Sequence, residues 1–234
     1  MLTKLRPLDA LVAWLLNGGM PFVFAVGVAI FSPAMASGWV GQGLLRVAVV
    51  VLLVGWLALA RGVKLDDFTR LLYSSSKPVV LGVVIGLAFF IVDYMAVVVI
   101  HFIDRTPNLV DGTWNAWVAT RSLAEFSIAF VLVVGLVGPF VEELVHRGVA
   151  YPGLRNRFGI VIGAAVSTAI FALGHEWNVH DLASAFVLGL IAVWLVERYR
   201  SLLPAIATHM TVNLSVVAAG WSLYNVFGIP GSSI

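Results

Sequence analysis

Residues 79–100 read VVLGVVIGLAFFIVDYMAVVVI, an apolar run that contains a single charged residue, Asp93. About 20 such residues, wound into an α-helix, cross the ~30 Å hydrocarbon core of a bilayer. The whole chain has this character, since 61% of its 234 residues are hydrophobic and 11% are charged, with a mean hydropathy of +1.01. A soluble domain of this size cannot bury so much apolar surface. The sequence therefore predicts an integral, multi-pass membrane protein.

Seven stretches are apolar and long enough, or nearly so, to span a membrane. They lie at residues 10–32, 38–60, 78–103, 122–146, 159–175, 181–197 and 203–227. We expect a single all-α membrane domain over residues 1–234, a transmembrane bundle of about seven helices, with an eighth segment left open. The first stretch is longer than the apolar region of a signal peptide and is interrupted by Asn17-Gly18-Gly19, which favours a retained helix.

Lysine and arginine concentrate in alternate connections between these stretches. The residues concerned are Lys4, Arg6, Arg61, Lys64, Arg70, Lys77, Arg155, Arg157, Arg198 and Arg200, whereas the other connections hold only Arg105 and Arg121. By the positive-inside rule, the N-terminus is expected in the cytoplasm, and the C-terminus outside if the count is seven. We expect the plasma membrane to be the host membrane.

Composition also excludes several functions. The chain has no cysteine, which removes disulfides, a cysteine nucleophile and thiolate zinc sites. Its net charge is +2, with basic residues thinly spread, so we expect membrane lipid rather than nucleic acid as a partner. The small-residue pairs Gly82/Gly86 and Gly159/Gly163 are typical of close helix packing.

Ionisable side chains inside apolar stretches are costly, so they should face the bundle interior or a wet cavity. The candidates are Arg46, Asp93, Glu125, Glu142, Glu143, His175 and His209. We expect Arg46 to reach the outer interface, or to pair with Asp93 if their helices touch. Glu125 is expected to be solvated, and His101 and His180 to be ordinary interfacial histidines.

The fourth stretch places two acids next to each other in the segment GPFVEELVHRG, residues 138–148. Pro139 has no N–H, so the helix should be kinked just before the acids. Glu143 and Arg147 are four residues apart and can form an ion pair. Glu142 points about 100° away around the helix and is expected to stay free for proton transfer. The alternative is that both acids are solvated at the end of the helix.

Two more pairs share a helix face at a spacing of four residues: Phe171 with His175, and His209 with Asn213. Donors aligned as in the second pair can converge on an oxyanion, although a helix–helix hydrogen bond would use the same side chains. The pair His175 and His180 is five residues apart, not four as in a zincin helix. No GxSxG nucleophile elbow is present.

The three motifs occur in one order, EExxxR at Glu142–Arg147, FxxxH at Phe171–His175 and HxxxN at His209–Asn213. Together they resemble the CPBP family of CAAX proteases and bacteriocin-processing enzymes, also called Abi or Rce1-like intramembrane glutamic endopeptidases. The resemblance covers roughly residues 120–220, the core that carries the motifs. One departure is His146, where many members carry an aromatic residue.

The resemblance implies hydrolysis of a peptide bond within the membrane, with a peptide or protein substrate as partner. Glu142 would be the general base, His175 would orient the water, and His209 with Asn213 would donate to the oxyanion. Glu143 and Arg147 would be supporting groups. No cofactor is expected, and the sequence leaves open whether a prenylated CAAX protein or a leader peptide is the substrate.

Two alternatives keep the same fold. One is a non-catalytic immunity or scaffold protein that binds a peptide without cutting it. The other is a metal-dependent protease in which Glu142, His175 and His209 hold a divalent ion such as zinc. One difficulty concerns depth, because a plain antiparallel count places His175 near the outer end of its helix and His209 near the cytoplasmic end of its own.

Overall fold

The computed structural model describes residues 4–19, 39–104, 128–175 and 179–225, and every regular element in them is helical. The α-helices are α1 (Pro7–Trp14), α2 (Trp39–Arg61), α3 (Leu65–Leu71), α4 (Ser76–Asp104), α5 (Ile128–Leu132), α6 (Gly138–Glu143), α7 (Tyr151–Ala172), α8 (Val179–Tyr199) and α9 (Leu203–Asn225). Turns of π-helix occur at Leu15–Gly19, Val133–Val137 and Leu144–Ala150. The prediction of an all-α bundle is confirmed.

In the described part of the chain, five helical segments are long and apolar enough to cross a membrane, which makes the chain an integral, multi-pass membrane protein. They are Val40–Arg61, Ser76–Val99, Ile128–Ala172, Val179–Tyr199 and Leu203–Ser222. The number differs from the seven predicted stretches for two reasons. The stretches at 122–146 and 159–175 share the one helical path Ile128–Ala172, and the stretch at 10–32 is described only as far as Gly19.

The shared path is interrupted at Gly159, whose backbone has φ 82° and ψ 176°. Almost only glycine adopts this conformation without strain, so the chain changes direction here. A Cβ atom on Gly163 would lie 2.8 Å from the backbone nitrogen of Arg155, because the second half of α7 returns past the first. The turn at Gly159 thus lets the two helical halves of α7 pack closely at Gly163, which is the close helix packing that the pair Gly159/Gly163 predicts.

The other small-residue pair, Gly82/Gly86, packs two helices together as predicted. A Cβ atom on Gly86 would lie 2.6 Å from the carbonyl oxygen of Thr208 on α9, and one on Gly82 would overlap Pro204. The close approach lets Thr208 Oγ1 donate to the Gly82 carbonyl at 2.9 Å. This α4–α9 contact fixes the helix that carries His209 and Asn213.

The four basic connections meet at one end of the bundle. Three hydrogen bonds join them: Lys4 Nζ to the Gly62 carbonyl (3.3 Å), Asn156 Nδ2 to the Leu5 carbonyl (3.2 Å) and the Leu202 N–H to the Leu71 carbonyl (2.7 Å). At the same end, the fully buried Asp9 pairs with Arg61 at 2.9 Å. Their common location agrees with a shared side of the membrane, and a cytoplasmic N-terminus stays a prediction.

Candidate active site

A cavity of about 730 Å³ lies inside the bundle, between α2, α4, α6, α7, α8 and α9. Aliphatic and aromatic side chains share its walls with about as many polar and charged ones. All four residues predicted to carry the chemistry line it, namely Glu142, His175, His209 and Asn213. The three sequence motifs therefore contribute to one hollow, although they lie on separate helices.

An irregular helical turn precedes the two acids, at the place where the proline predicted a break. Gly138 N–H donates to the carbonyl of Val133, five residues earlier, as in a π-helix. In this register the next carbonyl, that of Val134, would need the N–H that Pro139 lacks. Asn213 Nδ2 donates to this carbonyl at 3.0 Å and satisfies it. The proline thus creates the acceptor that fixes the amide of Asn213 at the cavity.

Glu143 lies at the centre of a buried network. Its side chain is fully buried, and Oε1 accepts from Arg147 Nη1 and from His209 Nδ1, both at 3.0 Å. The ion pair with Arg147 is the one that the spacing of four residues predicts. Because Glu143 accepts at Nδ1, the opposite ring nitrogen of His209, Nε2, points towards Glu142.

Glu142 is not free, so the prediction that it lacks a partner is wrong. Arg46 Nη1 lies 2.9 Å from its Oε1, while its Oε2 lies 3.8 Å from His209 Nε2. Arg46, which we expect at the outer interface or beside Asp93 if their helices touch, forms its ion pair with Glu142 instead. The reason is that α2 packs against α6, which places Arg46 beside a buried carboxylate, the favoured partner for a guanidinium inside the membrane.

The Phe171 ring, which is 2% exposed, holds the surrounding side chains apart. The rings of His146, His175 and His209 contact it edge-on, with centroids 5.2, 4.6 and 5.7 Å away, and the guanidinium of Arg147 lies 4.1 Å from its centre.

The turn at Gly159 brings this part of α7 back to the acids, which resolves the difficulty of depth. His146, the departure from the family pattern, packs on Phe171 as an aromatic ring would.

One hydrogen bond fixes the tautomer of His175. Its Nδ1 lies 3.0 Å from the carbonyl oxygen of Phe171. Because a carbonyl can only accept, Nδ1 must carry the proton, and Nε2 of the neutral ring is left as an acceptor. His175 can therefore accept a hydrogen bond within the cavity, as a group that orients water must.

Sequence reasoning missed a second polar cluster at the cavity, formed by Asp93, His180 and Asp181. His180 Nε2 lies 3.3 Å from Asp93 Oδ1, and its Nδ1 lies 3.1 Å from Asp181 Oδ1. The histidine thus connects α4 to α8, so the prediction of an ordinary interfacial histidine is wrong. No local spacing signals a pair of residues this far apart.

Glu125 and the side chain of His101 lie outside the described part of the chain.

The residues present do not fit a metal ion in this arrangement. Among the described residues, no group of three or more histidine and acidic side chains has the geometry to hold one. Glu142 and His209 approach each other, but Arg46 occupies one oxygen of the carboxylate. The set Glu142, His175 and His209 is therefore not arranged as ligands around a common centre.

Apolar spanning helices surround a cavity lined by acidic, histidine and amide side chains, and this arrangement defines a polytopic membrane protein with an embedded polar site. Residues 124–215 match the family model described as "Type II CAAX prenyl endopeptidase Rce1-like", and this part of the chain belongs to the Rce1-like family. The match contains all three motifs. The family is one of proteases, which supports a peptidase. No curated protein and no solved structure matches the chain.

Proposed function

We propose that the protein is an intramembrane endopeptidase in which water, activated by Glu142, attacks a peptide bond. The observation that carries this proposal is the single cavity lined by Glu142, His175, His209 and Asn213. Its substrate is a membrane-associated chain, such as a prenylated CAAX-type protein or a leader peptide, because the site lies among spanning helices. The match of residues 124–215 to a protease family also supports this proposal.

In the first step, Glu142 removes a proton from a water molecule. Its Oε1 is bound by Arg46, so Oε2 is the oxygen that can accept this proton. His175 assists, because its Nε2 accepts from the water while Nδ1 is held by the Phe171 carbonyl. A general base of this kind contributes about 10²–10⁴-fold to a rate.

The tetrahedral intermediate carries a negative oxygen that needs donors. Asn213 keeps one N–H of its amide for this purpose, since the other donates to the Val134 carbonyl. Because Nδ1 of His209 already donates to Glu143, its Nε2 can donate to the oxyanion only as part of an imidazolium ring. Donors that are fixed before reaction stabilise the transition state without reorganisation.

Glu143 and Arg147 support this site. Both are buried, and the guanidinium of Arg147 stacks on Phe171 while it binds Glu143. Glu143 therefore fixes His209 by binding its Nδ1, and Arg147 fixes Phe171 by stacking on the face of its ring. Neither residue needs to touch the substrate for this role.

The test compares cells that produce the wild type with cells that produce Glu142→Gln, which keeps the shape of the side chain and removes the base. Quantitative proteomics of membrane and released peptides should show cleavage products that disappear in the variant. Asp66→Asn is the matched control, since Asp66 is exposed on α3 and its carboxylate forms no hydrogen bond or ion pair with the described residues. Products that persist at wild-type abundance in Glu142→Gln would contradict the mechanism.

The same comparison addresses the non-catalytic alternative. A scaffold or immunity protein would leave no product that depends on Glu142, and the double variant Glu142→Ala, His209→Ala would retain its cellular phenotype. An endopeptidase loses both products and phenotype in that variant, provided that the protein still accumulates in the membrane.

A further inference from the structure

We propose that Arg46, which lies outside the region matched by the family model, is a positioning residue that holds Glu142 in its reactive orientation. The inference rests on the proposed role of Glu142 as base. Arg46 belongs to α2, whereas the family match begins at residue 124. No motif of the sequence includes it.

The surroundings of Arg46 favour a functional role. It lies within a spanning helix, where an arginine is costly unless it faces a partner or a wet cavity. It lines the cavity, and its side chain is 30% exposed there. Glu142 is its only ion-pair partner among the described residues. The negative charge that offsets the cost of burying Arg46 therefore belongs to Glu142, the residue proposed to accept the proton.

The backbone of α6 provides room for this contact. Gly138 lies one turn before Glu142, and a Cβ atom there would lie 3.4 Å from Cζ of Arg46 and 3.0 Å from the Val133 carbonyl oxygen. The guanidinium therefore lies across the glycine on its way to the carboxylate. The π-turn Val133–Val137 and the missing side chain of Gly138 together leave room for the guanidinium of Arg46 to reach Glu142.

The consequence concerns the two carboxylate oxygens. With Oε1 held at 2.9 Å by Arg46, Oε2 is directed to the side of the cavity where His209 lies. Without the guanidinium, the carboxylate can rotate, and either oxygen can turn towards His209. Such a misplacement of a reacting group by about 1 Å can cost up to 100-fold in rate.

The experiment measures kcat and KM for Arg46→Gln, Arg46→Lys and Glu142→Gln, together with the thermal stability of each purified protein. The probe is a fluorogenic peptide built on the cleavage site that the proteomic comparison identifies. Arg157→Gln is the matched control, because this exposed arginine lies at the basic end of the bundle and forms no ion pair with described residues.

We expect Arg46→Gln to lower kcat by roughly 10- to 100-fold with little change in KM, and Arg46→Lys to restore much of the loss. In the Glu142→Gln background, Arg46→Gln should cause no further loss, because the residue that it positions is already inert. Arg157→Gln should retain the wild-type rate.

Three results would overturn the inference. The first is a raised KM at unchanged kcat, which would make Arg46 a residue for substrate binding. The second is a loss of activity in Arg46→Gln that parallels its loss of thermal stability and that Arg46→Lys does not restore. The third is full activity of Arg46→Gln while Glu142→Gln is inactive. Activity of Glu142→Gln at the wild-type rate would instead contradict the proposed function itself.

Discussion

His209 Nδ1 donates to the Oε1 atom of Glu143 at 3.0 Å, across 66 residues of sequence. The same carboxylate oxygen accepts from Arg147. One buried acid therefore controls both the orientation of the histidine and the neutralisation of the arginine. The two adjacent glutamates therefore have different surroundings, since Glu142 faces the cavity and Glu143 faces the protein interior.

The first prediction is that Glu143→Gln destabilises the fold more than Glu142→Gln does. Removing the carboxylate leaves Arg147 buried without its counterion, which costs about 3–5 kcal/mol. Activity should also fall, because His209 loses the negative partner of its ring. Thermal unfolding in detergent, measured for both variants and the wild type, checks the order. Equal stability of the two variants would mean that Glu143 is not the structural anchor.

The second prediction concerns the amide of Asn213. In Asn213→Ala the Val134 carbonyl loses its donor and the intermediate loses an oxyanion donor, so kcat should fall by about 10²–10³-fold. Asn213→Asp should be at least as harmful, because a carboxylate oxygen would face the carbonyl oxygen. The check is steady-state kinetics on the fluorogenic peptide. A change in KM alone would show that Asn213 binds substrate without stabilising the intermediate.

The third prediction uses two glycines of spanning helices. A Cβ atom on Gly189 of α8 would lie 2.5 Å from Thr168 Cγ2 and 2.7 Å from Arg147 Nη2. Gly189→Ala should therefore displace Arg147 from Phe171, cost about 1–3 kcal/mol and lower activity. Gly55→Ala on α2 is the control, because no atom lies within 4 Å of its Cβ position. It should be neutral or slightly stabilising, and a similar loss in both variants would refute the packing argument.

The fourth prediction is that the active, purified protein needs no bound metal. Its described histidine and acidic side chains do not converge on a common centre, and the proposed steps use only proton transfer and hydrogen bonding. Elemental analysis of active protein and activity after treatment with a chelator provide the measurement. Stoichiometric zinc, with activity lost on chelation and restored by zinc, would favour the metal-dependent alternative with Glu142, His175 and His209 as ligands.

Local spacing correctly predicted the contacts made within one helix. The separation of four residues gave the Glu143–Arg147 pair, and Pro139 gave the irregular turn before the acids. These features depend only on the geometry of a helix and on the missing N–H of proline. The form of the break was not predictable from the residue alone. In an α-helix Pro139 would leave the Gly135 carbonyl without a donor, whereas in the π-turn it leaves that of Val134.

Contacts between distant segments were predicted poorly. The sequence predicts Arg46 at the outer interface, or beside Asp93 if their helices touch, yet Arg46 pairs with Glu142 across 96 residues. The predicted partner of Asp93 is Arg46, yet Asp93 lies beside His180. Each charge inside an apolar helix must face a counterion or a wet cavity. Its partner depends on which helices touch, and the spacing of residues along the chain does not predict those contacts.

The sequence by itself determined that this chain lies in the membrane and singled out the polar residues that meet at the cavity, because an excess of apolar side chains makes isolated polar motifs stand out. Only the tertiary structure decided how these residues face one another. The reversal at Gly159, the close α4–α9 contact and the approach of α2 bring the motifs to one cavity. Helix packing is set by the shape of whole surfaces, and therefore by residues far from the site.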